Sequence, residues 1–486
     1  MVGTGLQLRS GDPQALVTGI TADSRKVSPG TAFVAVPGTQ VDGHDYIDRA
    51  IEAGARVIVA QEDRVAQLDV PDEVALLTAQ DSALALAQLS AAYFDHPSHD
   101  LTLVGITGTN GKTTVATLAH DLFTQLGYRC GLVGTVEVRI GDQRLQATHT
   151  TPDAVAVQQL LAEMAEAGCA YVFMEVSSHA LVQHRVAATN FAVGVFTNIS
   201  HDHLDYHGDM KSYIAAKKLL FDALPADALA LVNVDDKRGQ VMLQNTPARP
   251  LRYALRRLAE YKGRILDDDL RGLHLMVDKH EVHTRLAGAF NAYNLLAAYA
   301  LGVEFGHGEE EVLAILSALR GAPGRLEPVA VAHTKILGLV DYAHTPDALR
   351  NVLTTLQEVR RKGARLICVV GCGGDRDRTK RPRMGAIAAQ LSDLVIITDD
   401  NPRTEQPDAI RAEMMTDLDV EQRSRVLDIA DRKSAIRTAT RLAQDEDVIL
   451  VAGKGHEDYQ EVNGVRHPFD DRQQLRAALE SLTNAI

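Results

Sequence analysis

Nine short apolar runs punctuate the chain: TAFVAV (31–36), ARVIVA (55–60), LTLVGIT (101–107), YVFMEV (171–176), AVGVFT (192–197), ALALVNV (228–234), RLICVVG (365–371), LVIIT (394–398) and DVILVAG (447–453). They are continuous rather than alternating, and longer stretches with helical spacing separate them. Buried strands alternating with helices predict mainly parallel sheets covered on both faces, an α/β fold. Helices are expected over 82–93, from Lys112 to a stop at Gly127, and after Pro152 to a stop at Gly168. FDHPSHD (94–100) and the Gly- and Pro-rich RGAPGRLEPV (320–329) interrupt the pattern. Cutting there gives three segments, 1–97, 98–325 and 326–486.

Composition fits that division. The chain has 486 residues, enough for about three domains of roughly 150 residues. It is 45% hydrophobic and 23% charged, with a net charge of −14. That charge argues against a general nucleic-acid or membrane-surface binder, although local cations and amides can still hold an anionic small molecule. Cys130, Cys169, Cys368 and Cys372 lack zinc-site spacing and read as ordinary thiols of a reducing compartment. MVGTGLQLRS has neither the basic start nor the apolar core of a signal peptide. No apolar run approaches the roughly 18 residues of a membrane span. The expectation is a cytoplasmic protein.

GITGTNGKTT (105–114) carries the chemistry. It departs from the usual phosphate-loop spacing, because Ile106 stands six positions before Lys112. Its setting, however, is a buried strand running into a helix N-terminus, where backbone N–H groups and the positive helix end attract an anion. Lys112 adds a charge and Thr113 a hydroxyl suited to Mg²⁺. Glu175, Ser177, Ser178 and His179 follow the next strand, and Asn198, His201, Asp202 and His203 the one after. Ligands in open α/β sheets sit at such carboxyl ends, so these groups are expected near Mg²⁺ and nucleotide phosphates. A three-ligand zinc site is the competing metal reading, without HExxH or cysteine-rich spacing to support it.

TGTNGKTT (107–114), MEVSSHALVQHRV (174–186) and FTNISHDHLDYHGDMKSYIAAKKLLF (196–221) together resemble the Mur ligases, ATP-dependent amide-forming enzymes of peptidoglycan precursor synthesis. The resemblance runs from DSRKVSPG (23–30) to GKGHEDYQ (453–460). HTTPD (149–153), EVSSHALVQHR (175–185) and DNPR (400–403) point within the family to the members that add the third residue. It implies an N-terminal domain for a UDP-linked substrate, a central phosphate-loop ATPase domain and a Rossmann-like C-terminal domain for the incoming amino acid. Gly108, Thr109, Asn110, Gly111, Lys112, Thr113, Thr114, Asn291 and Asn294 would bind ATP. Ser24, Thr39, Gln40 and Val41 would hold the uridine diphosphate end. Thr150, Thr151, Ser177, Gln183 and Arg185 would hold the muramoyl-dipeptide. Arg376, Asp400, Asn401, Pro402, Arg403, Gly453 and Glu457 would bind meso-diaminopimelate. Thr113, Glu175, His203 and a carbamylated Lys217 would hold Mg²⁺, with Lys112, Lys217, His203 and His344 as the catalytic set. The implied state is a monomer acting on small molecules. His149 stands where an asparagine often precedes the two threonines.

Several of these positions have their own physical reading. Thr151-Pro152 reads as a helix start with Thr151 as N-cap. Asn291 could equally be a helix cap. Lys217 and Lys218 are adjacent on a helix, and only the family register selects Lys217. Arg403 leaves a turn stiffened by Pro402 and could take the extra carboxylate of diaminopimelate bidentately, or could merely pair with Asp399 or Glu405. Rival functions are a folylpolyglutamate synthetase, a nucleotide-dependent switch, and a dinucleotide oxidoreductase suggested by GCGGDRD (371–377), which lacks the full GxGxxG.

Overall fold

The structure, a computed structural model, describes residues 5–483 apart from Thr39, Gln40, Thr148, His201, Leu270, Arg271, Ala330 and His333. The expectations for Thr39, Gln40 and His201 therefore lie outside the described residues. All nine apolar runs form strands. The chain divides into two compact units.

The first unit comprises residues 5–108, Ala119–Thr197 and Lys211–Arg252. Its N-terminal sheet runs in the order Gln7–Ser10, Ala75–Ala79, Val57–Gln61, Thr31–Val34, Gly19–Thr21, parallel except for the first strand. Buried Val34, Val59, Leu77 and Leu86 pack one face of this sheet, and Phe33, Ile58 and Leu76 the other. A second sheet begins with parallel strands in the order Leu229–Asn233, Val193–Phe196, Thr102–Thr107, Tyr171–Glu175, Cys130–Val133. Glu137–Ile140 and Gln143–Gln146 extend it antiparallel.

The second unit comprises Thr109–Leu118, Asn198–Met210 and the described chain from Tyr253 onward. Tyr261–Asp269, Gly272–Val277 and His280–His283 make an antiparallel meander. Beyond it lies a sheet in the order Glu327–Val329, Leu337–Asp341, Val448–Ala452, Leu366–Val370, Leu394–Ile397, Val426–Asp428. Only the first strand of that sheet is antiparallel. Its central strands are wholly buried, the expectation for a parallel sheet sandwiched by helices. Loops Tyr342–His344, Gly371–Arg376, Thr398–Arg403 and Gly453–Glu457 all leave the carboxyl ends of its parallel strands, the edge where such sheets hold ligands.

Helix ends explain two sequence expectations and correct one. The helices Lys112–Gln125 and Ala154–Glu166 stop before Gly127 and Gly168, whose φ values are +96° and +75°, as left-handed C-terminal caps require. Thr151 is not the N-cap of the second helix. That role belongs to Asp153, whose carboxylate accepts from Ala156 N at 2.9 Å. Thr151 is instead buried, its hydroxyl donating to the Glu175 carbonyl at 2.8 Å. The Asp153 carboxylate satisfies an orphan N–H group, which leaves the threonine to bond the end of the strand Tyr171–Glu175. Among the described residues, no helix is long and apolar enough to cross a membrane.

Candidate active site

The phosphate loop spans the carboxyl end of Thr102–Thr107 and the start of Lys112–Gln125. Gly108 and Gly111 have φ of +151° and +89°, values that favour glycine. In the second unit, Asn198 clamps the loop from both sides of the chain. Its Oδ1 accepts from Asn110 N (3.1 Å), its Nδ2 donates to Asn110 O (3.0 Å), and its carbonyl accepts from Thr109 N (2.8 Å). Ser200 N donates to Thr109 Oγ1 at 3.0 Å. Lys112 Nζ donates to Thr109 O at 2.9 Å, folding the ammonium back over the loop. Thr113 and Thr114 are buried, and Thr113 Oγ1 accepts from Arg325 Nη2 at 3.3 Å.

Arg325 is a residue that sequence reading missed, because it lies in a stretch that reads only as a linker. Its guanidinium also lies over the Tyr342 ring, 4.8 Å from the centroid. Asp341 pins this segment: its carboxylate accepts from Leu326 N (2.6 Å) and Ala343 N (2.7 Å). Burial raises the Asp341 pKa, while Arg325 and these two amides oppose the shift. Nearby, Lys380 Nζ donates to the His344 carbonyl at 2.8 Å. The packed surroundings of the His344 ring, and then the Lys380 ammonium, lower its pKa to about 4, so the imidazole is neutral at pH 7. Its surface still meets solvent.

His203 has a φ of +53° and starts the short helix Leu204–His207, with Asp202 accepting from its N–H at 3.0 Å. Asn291 is not a cap: Gly288 holds that position on the helix Ala289–Glu304. Asn291 and Asn294 are buried and joined side chain to side chain at 3.0 Å.

In the first unit, Lys217 is buried in the helix Met210–Asp222 and its Nζ donates to Gly108 O at 2.8 Å. Lys218, half-buried, pairs with Asp222. The buried Glu175 carboxylate accepts from Thr135 N (2.7 Å) and Thr135 Oγ1 (3.1 Å), and the Thr135 and Thr150 hydroxyl oxygens lie 3.0 Å apart. Thr135 is thus a second residue that the sequence did not single out. Arg185 is braced by Gln183 Oε1 (3.0 and 2.6 Å) and donates to Thr151 O (2.8 Å). The Ser177 side chain caps the helix Ser178–Val182. In the N-terminal sheet region, Ser24 opens a short 3₁₀ turn capped by Asp23, and Val41 is exposed. His149 is exposed too.

At the C-terminal sheet edge of the second unit, the GCGGDRD run is explained by packing. A Cβ on Gly371 would lie 2.4 Å from Thr398 O, and one on Gly374 would lie 2.0 Å from Pro402 O. These glycines let two loops touch. Arg403 has a φ of +51°, and its Nη1 donates to Gly374 O at 2.7 Å. Asp399 is taken by Arg411 and Glu405 by Arg381, so neither is the partner of Arg403. The nearest acid to Arg403 is Glu461, at 3.8 Å. Asn401 Nδ2 donates to Glu457 Oε2 at 2.8 Å. A Cβ on Gly453 would sit 2.7 Å from Asp400 Oδ2. Arg376 is exposed, its Nη1 on Asp375 O at 3.3 Å.

Among the described residues, one histidine–carboxylate group has ligand atoms close enough for a metal: His274, Glu281 and His283. The rings of His274 and His283 stack 3.9 Å apart at 13°, so no ion can lie in both ring planes, and His274 Nε2 already meets Glu281 at 2.5 Å. All four cysteines are buried thiols. Burial raises the pKa of Cys130, Cys368 and Cys372 to about 12, so they are poor nucleophiles.

A glycine loop at a helix N-terminus, buried polar groups at strand ends and a second ligand edge on a parallel sheet are the features of an α/β enzyme with an anion-binding loop. Family models agree: residues 106–302 match the Mur ligase middle domain, 324–455 the Mur ligase glutamate ligase domain, and 16–94 the Mur ligase family catalytic domain. The chain belongs to the Mur ligase family. It is 51% identical over 474 residues to the UDP-N-acetylmuramoyl-L-alanyl-D-glutamate--2,6-diaminopimelate ligase of Cytophaga hutchinsonii, covering 97% of this chain and 96% of that protein. The ligase of the same name from Parabacteroides distasonis is 50% identical, with 95% and 94% covered. A solved structure of a ligase with that name superposes with a TM-score of 0.66 at 34% identity, covering 96% of this chain and 95% of that one.

Proposed function

We propose that this chain joins meso-2,6-diaminopimelate to the D-glutamate γ-carboxylate of UDP-N-acetylmuramoyl-L-alanyl-D-glutamate, using ATP, in peptidoglycan precursor synthesis. The relatives' names support this, but the observation that carries the choice of amino acid is Arg403. Its guanidinium donates to Gly374 O at the ligand edge of the C-terminal sheet and lies 3.8 Å from Glu461, with Asp399 and Glu405 engaged elsewhere. Diaminopimelate differs from lysine by one carboxylate, which a planar guanidinium takes bidentately.

ATP binds at Gly108–Thr114, with Asn291 and Asn294 as nucleotide neighbours. Loop amides and Lys112 hold the phosphates and stabilise charge on the transferred phosphoryl group. The γ-carboxylate of D-glutamate attacks the γ-phosphorus and ADP leaves, giving an acyl phosphate. The free amine of diaminopimelate then attacks the acyl carbon, and phosphate leaves with the amide formed. Neutral His344 can orient a phosphate oxygen or accept a proton. Thr113 and Glu175 offer hard oxygen donors of the kind Mg²⁺ takes. The proposed ligand set is Thr113, Glu175, His203 and Lys217 as its carbamate. Mg²⁺, when bound, neutralises phosphate charge. Carbamylation would turn the Lys217 cation into an anion.

Ser24, Thr39, Gln40 and Val41 are proposed for the uridine diphosphate end. Thr150, Thr151, Ser177, Gln183 and Arg185 are proposed for the muramoyl-dipeptide. Arg376, Asp400, Asn401, Pro402, Arg403, Gly453 and Glu457 complete the amino-acid site. Domain limits at 1–97, 98–325 and 326–486 are proposed from the breaks in the apolar pattern at 94–100 and 320–329. The protein acts as a cytoplasmic monomer in this reading, in keeping with its buried thiols and its use of ATP.

The test is ADP release with UDP-muramoyl-dipeptide, comparing kcat/KM for meso-diaminopimelate and L-lysine in the parent and Arg403→Ala. We expect the parent to favour diaminopimelate by about 30- to 1,000-fold, the range for a charge-assisted bidentate contact, and Arg403→Ala to lose most of that preference. A parent that prefers lysine would overturn the assignment.

A further inference from the structure

Lys454 is a fully buried lysine in the loop that follows the central strand Val448–Ala452. Three of its neighbours belong to the proposed amino-acid site. Its Nζ donates to Asn401 Oδ1 at 3.0 Å and to Glu457 Oε2 at 3.3 Å, and lies 3.7 Å from Asp400 Oδ1. The Tyr459 ring faces it, 5.4 Å from the ammonium to the centroid.

This arrangement decides how Asn401 points. Asn401 Oδ1 takes two donors, Lys454 Nζ and Glu461 N (2.9 Å). Its Nδ2 is thereby turned onto Glu457 Oε2 (2.8 Å). An ammonium cannot accept a hydrogen bond, so the amide cannot flip without breaking both contacts. Through Asn401, Lys454 fixes the Glu457 carboxylate. The same contacts fix the turn that carries Arg403, because Arg403 N donates to Glu461 O (3.1 Å) and Asn463 N donates to Arg403 O (2.7 Å). Gln460 Nε2 ties the same hairpin to Asp400 O at 2.7 Å.

The charge count adds a second consideration. Two carboxylates, Asp400 and Glu457, face the Lys454 ammonium, and Arg432 and Lys380 also bear on Asp400. Burial and then Asp400 raise the Glu457 pKa, so Glu457 is the carboxylate short of a partner. The ammonium of an incoming amino acid supplies the missing partner, while Arg403 supplies a cation for its carboxylate.

We infer that Lys454 is a positioning residue for the amino-acid substrate: it sets the Asn401 amide and the Glu457 carboxylate in the orientation that receives the substrate ammonium. The inference rests on the proposed function and deepens it. Lys454 touches no substrate in this account.

The experiment uses the full chain with Lys454→Met, which keeps the length and removes the charge, and Lys454→Arg, which restores it. KM and kcat are measured separately for diaminopimelate, ATP and the UDP-muramoyl-dipeptide, beside a thermal melt. Lys454→Met should raise KM for diaminopimelate about 10- to 100-fold, the scale of a lost charge-assisted contact. KM for the other two substrates should stay within about twofold, the change expected of sites that do not share the contact. Lys454→Arg should recover part of the loss. An unchanged KM for diaminopimelate, or an equal rise for all three substrates, would overturn the inference. If Lys454→Met does not fold, Lys454→Gln carries the same comparison, and failure of both to fold assigns Lys454 to stability alone and overturns the positioning role. A parent enzyme inactive with diaminopimelate sinks the proposed function instead, a result visible before any variant is made.

Discussion

The phosphate loop and the amino-acid edge both hold charged ligands in the proposed reaction, yet they are built differently. The loop uses backbone amides, small buried threonines and neutral Asn198, with Lys112 folded onto Thr109 O. The other edge is crowded with buried ionic groups: Lys454 against Asp400 and Glu457, and Arg432 in a fully buried pair with Asp471 (2.7 and 2.8 Å). Amides and a helix end suit an anion whose charge shifts during reaction, because they need no counter-ion of their own. A zwitterionic amino acid needs both signs at fixed places, and fixed buried charges must be balanced within the protein when the ligand is absent.

The sharpest way to break this comparison is Lys112→Ala. If the loop binds phosphates as argued, turnover falls by at least about 1,000-fold while the thermal melt stays near that of the parent. Near-normal ADP release from folded Lys112→Ala would remove the loop's assigned role. Next in size is Arg432→Met at the other edge. It leaves Asp471 uncompensated, and we expect a loss of about 3–5 kcal/mol in denaturant unfolding. Arg432→Met/Asp471→Leu should recover much of that loss. A single variant as stable as the parent would show the pair to be dispensable.

Lys217 against Lys218 sharpens the loop side of the comparison. Lys217→Ala removes the contact to Gly108 O and any carbamate, whereas Lys218→Ala removes the half-buried pair with Asp222. Activity should drop about 10- to 100-fold for the first, as for loss of one stabilising group, and by less than twofold for the second. Short carboxylates should partly restore Lys217→Ala if the carbamate acts as an anion, and equal activity of the two variants would exclude Lys217 as the carbamylated residue.

The smallest effect is in pH. Burial, and then Arg325, lower the His456 pKa to about 4. A depressed folded-state pKa contributes stability that is complete above the unfolded value near 6.5 and is lost as pH falls from there towards about 4. Glu457 works in the opposite sense, since burial raises its pKa. The test is therefore the difference between His456→Gln and the parent at matched pH. We expect the parent to lose up to about 1 kcal/mol relative to the variant across that window, after allowance for partial exposure of the ring. Parallel stability–pH curves would show that His456 does not titrate differently on folding.

Local chemistry decided what the chain revealed before its structure. Nine strands were legible because a strand in a parallel sheet is a continuous apolar run. The strand, glycine loop and helix around Lys112 were legible because all their parts are adjacent. The meander from Tyr261 to His283 was not, since charged residues such as Asp267, Asp268, Lys279 and Glu281 mask its alternation. Thr151 misled because Asp153, two residues on, is an equally good cap. Arg325, Lys454, Arg432 and Asp471 could not be read at all. Most of their partners come from distant parts of the chain, and a lone lysine or arginine is ordinarily a solvated one.

The backbone at Arg403 has a consequence for how substrate choice can drift. At φ +51° any branched or bulky side chain is under torsional strain, whereas asparagine and glycine are at ease. Replacing the arginine by either would relax the turn and give up the hydrogen bond to Gly374 O (2.7 Å). In the proposed reading the same change removes the group that meets the second carboxylate of diaminopimelate. Backbone strain and substrate choice are thus tied to one residue, and a change that eases the first costs the second.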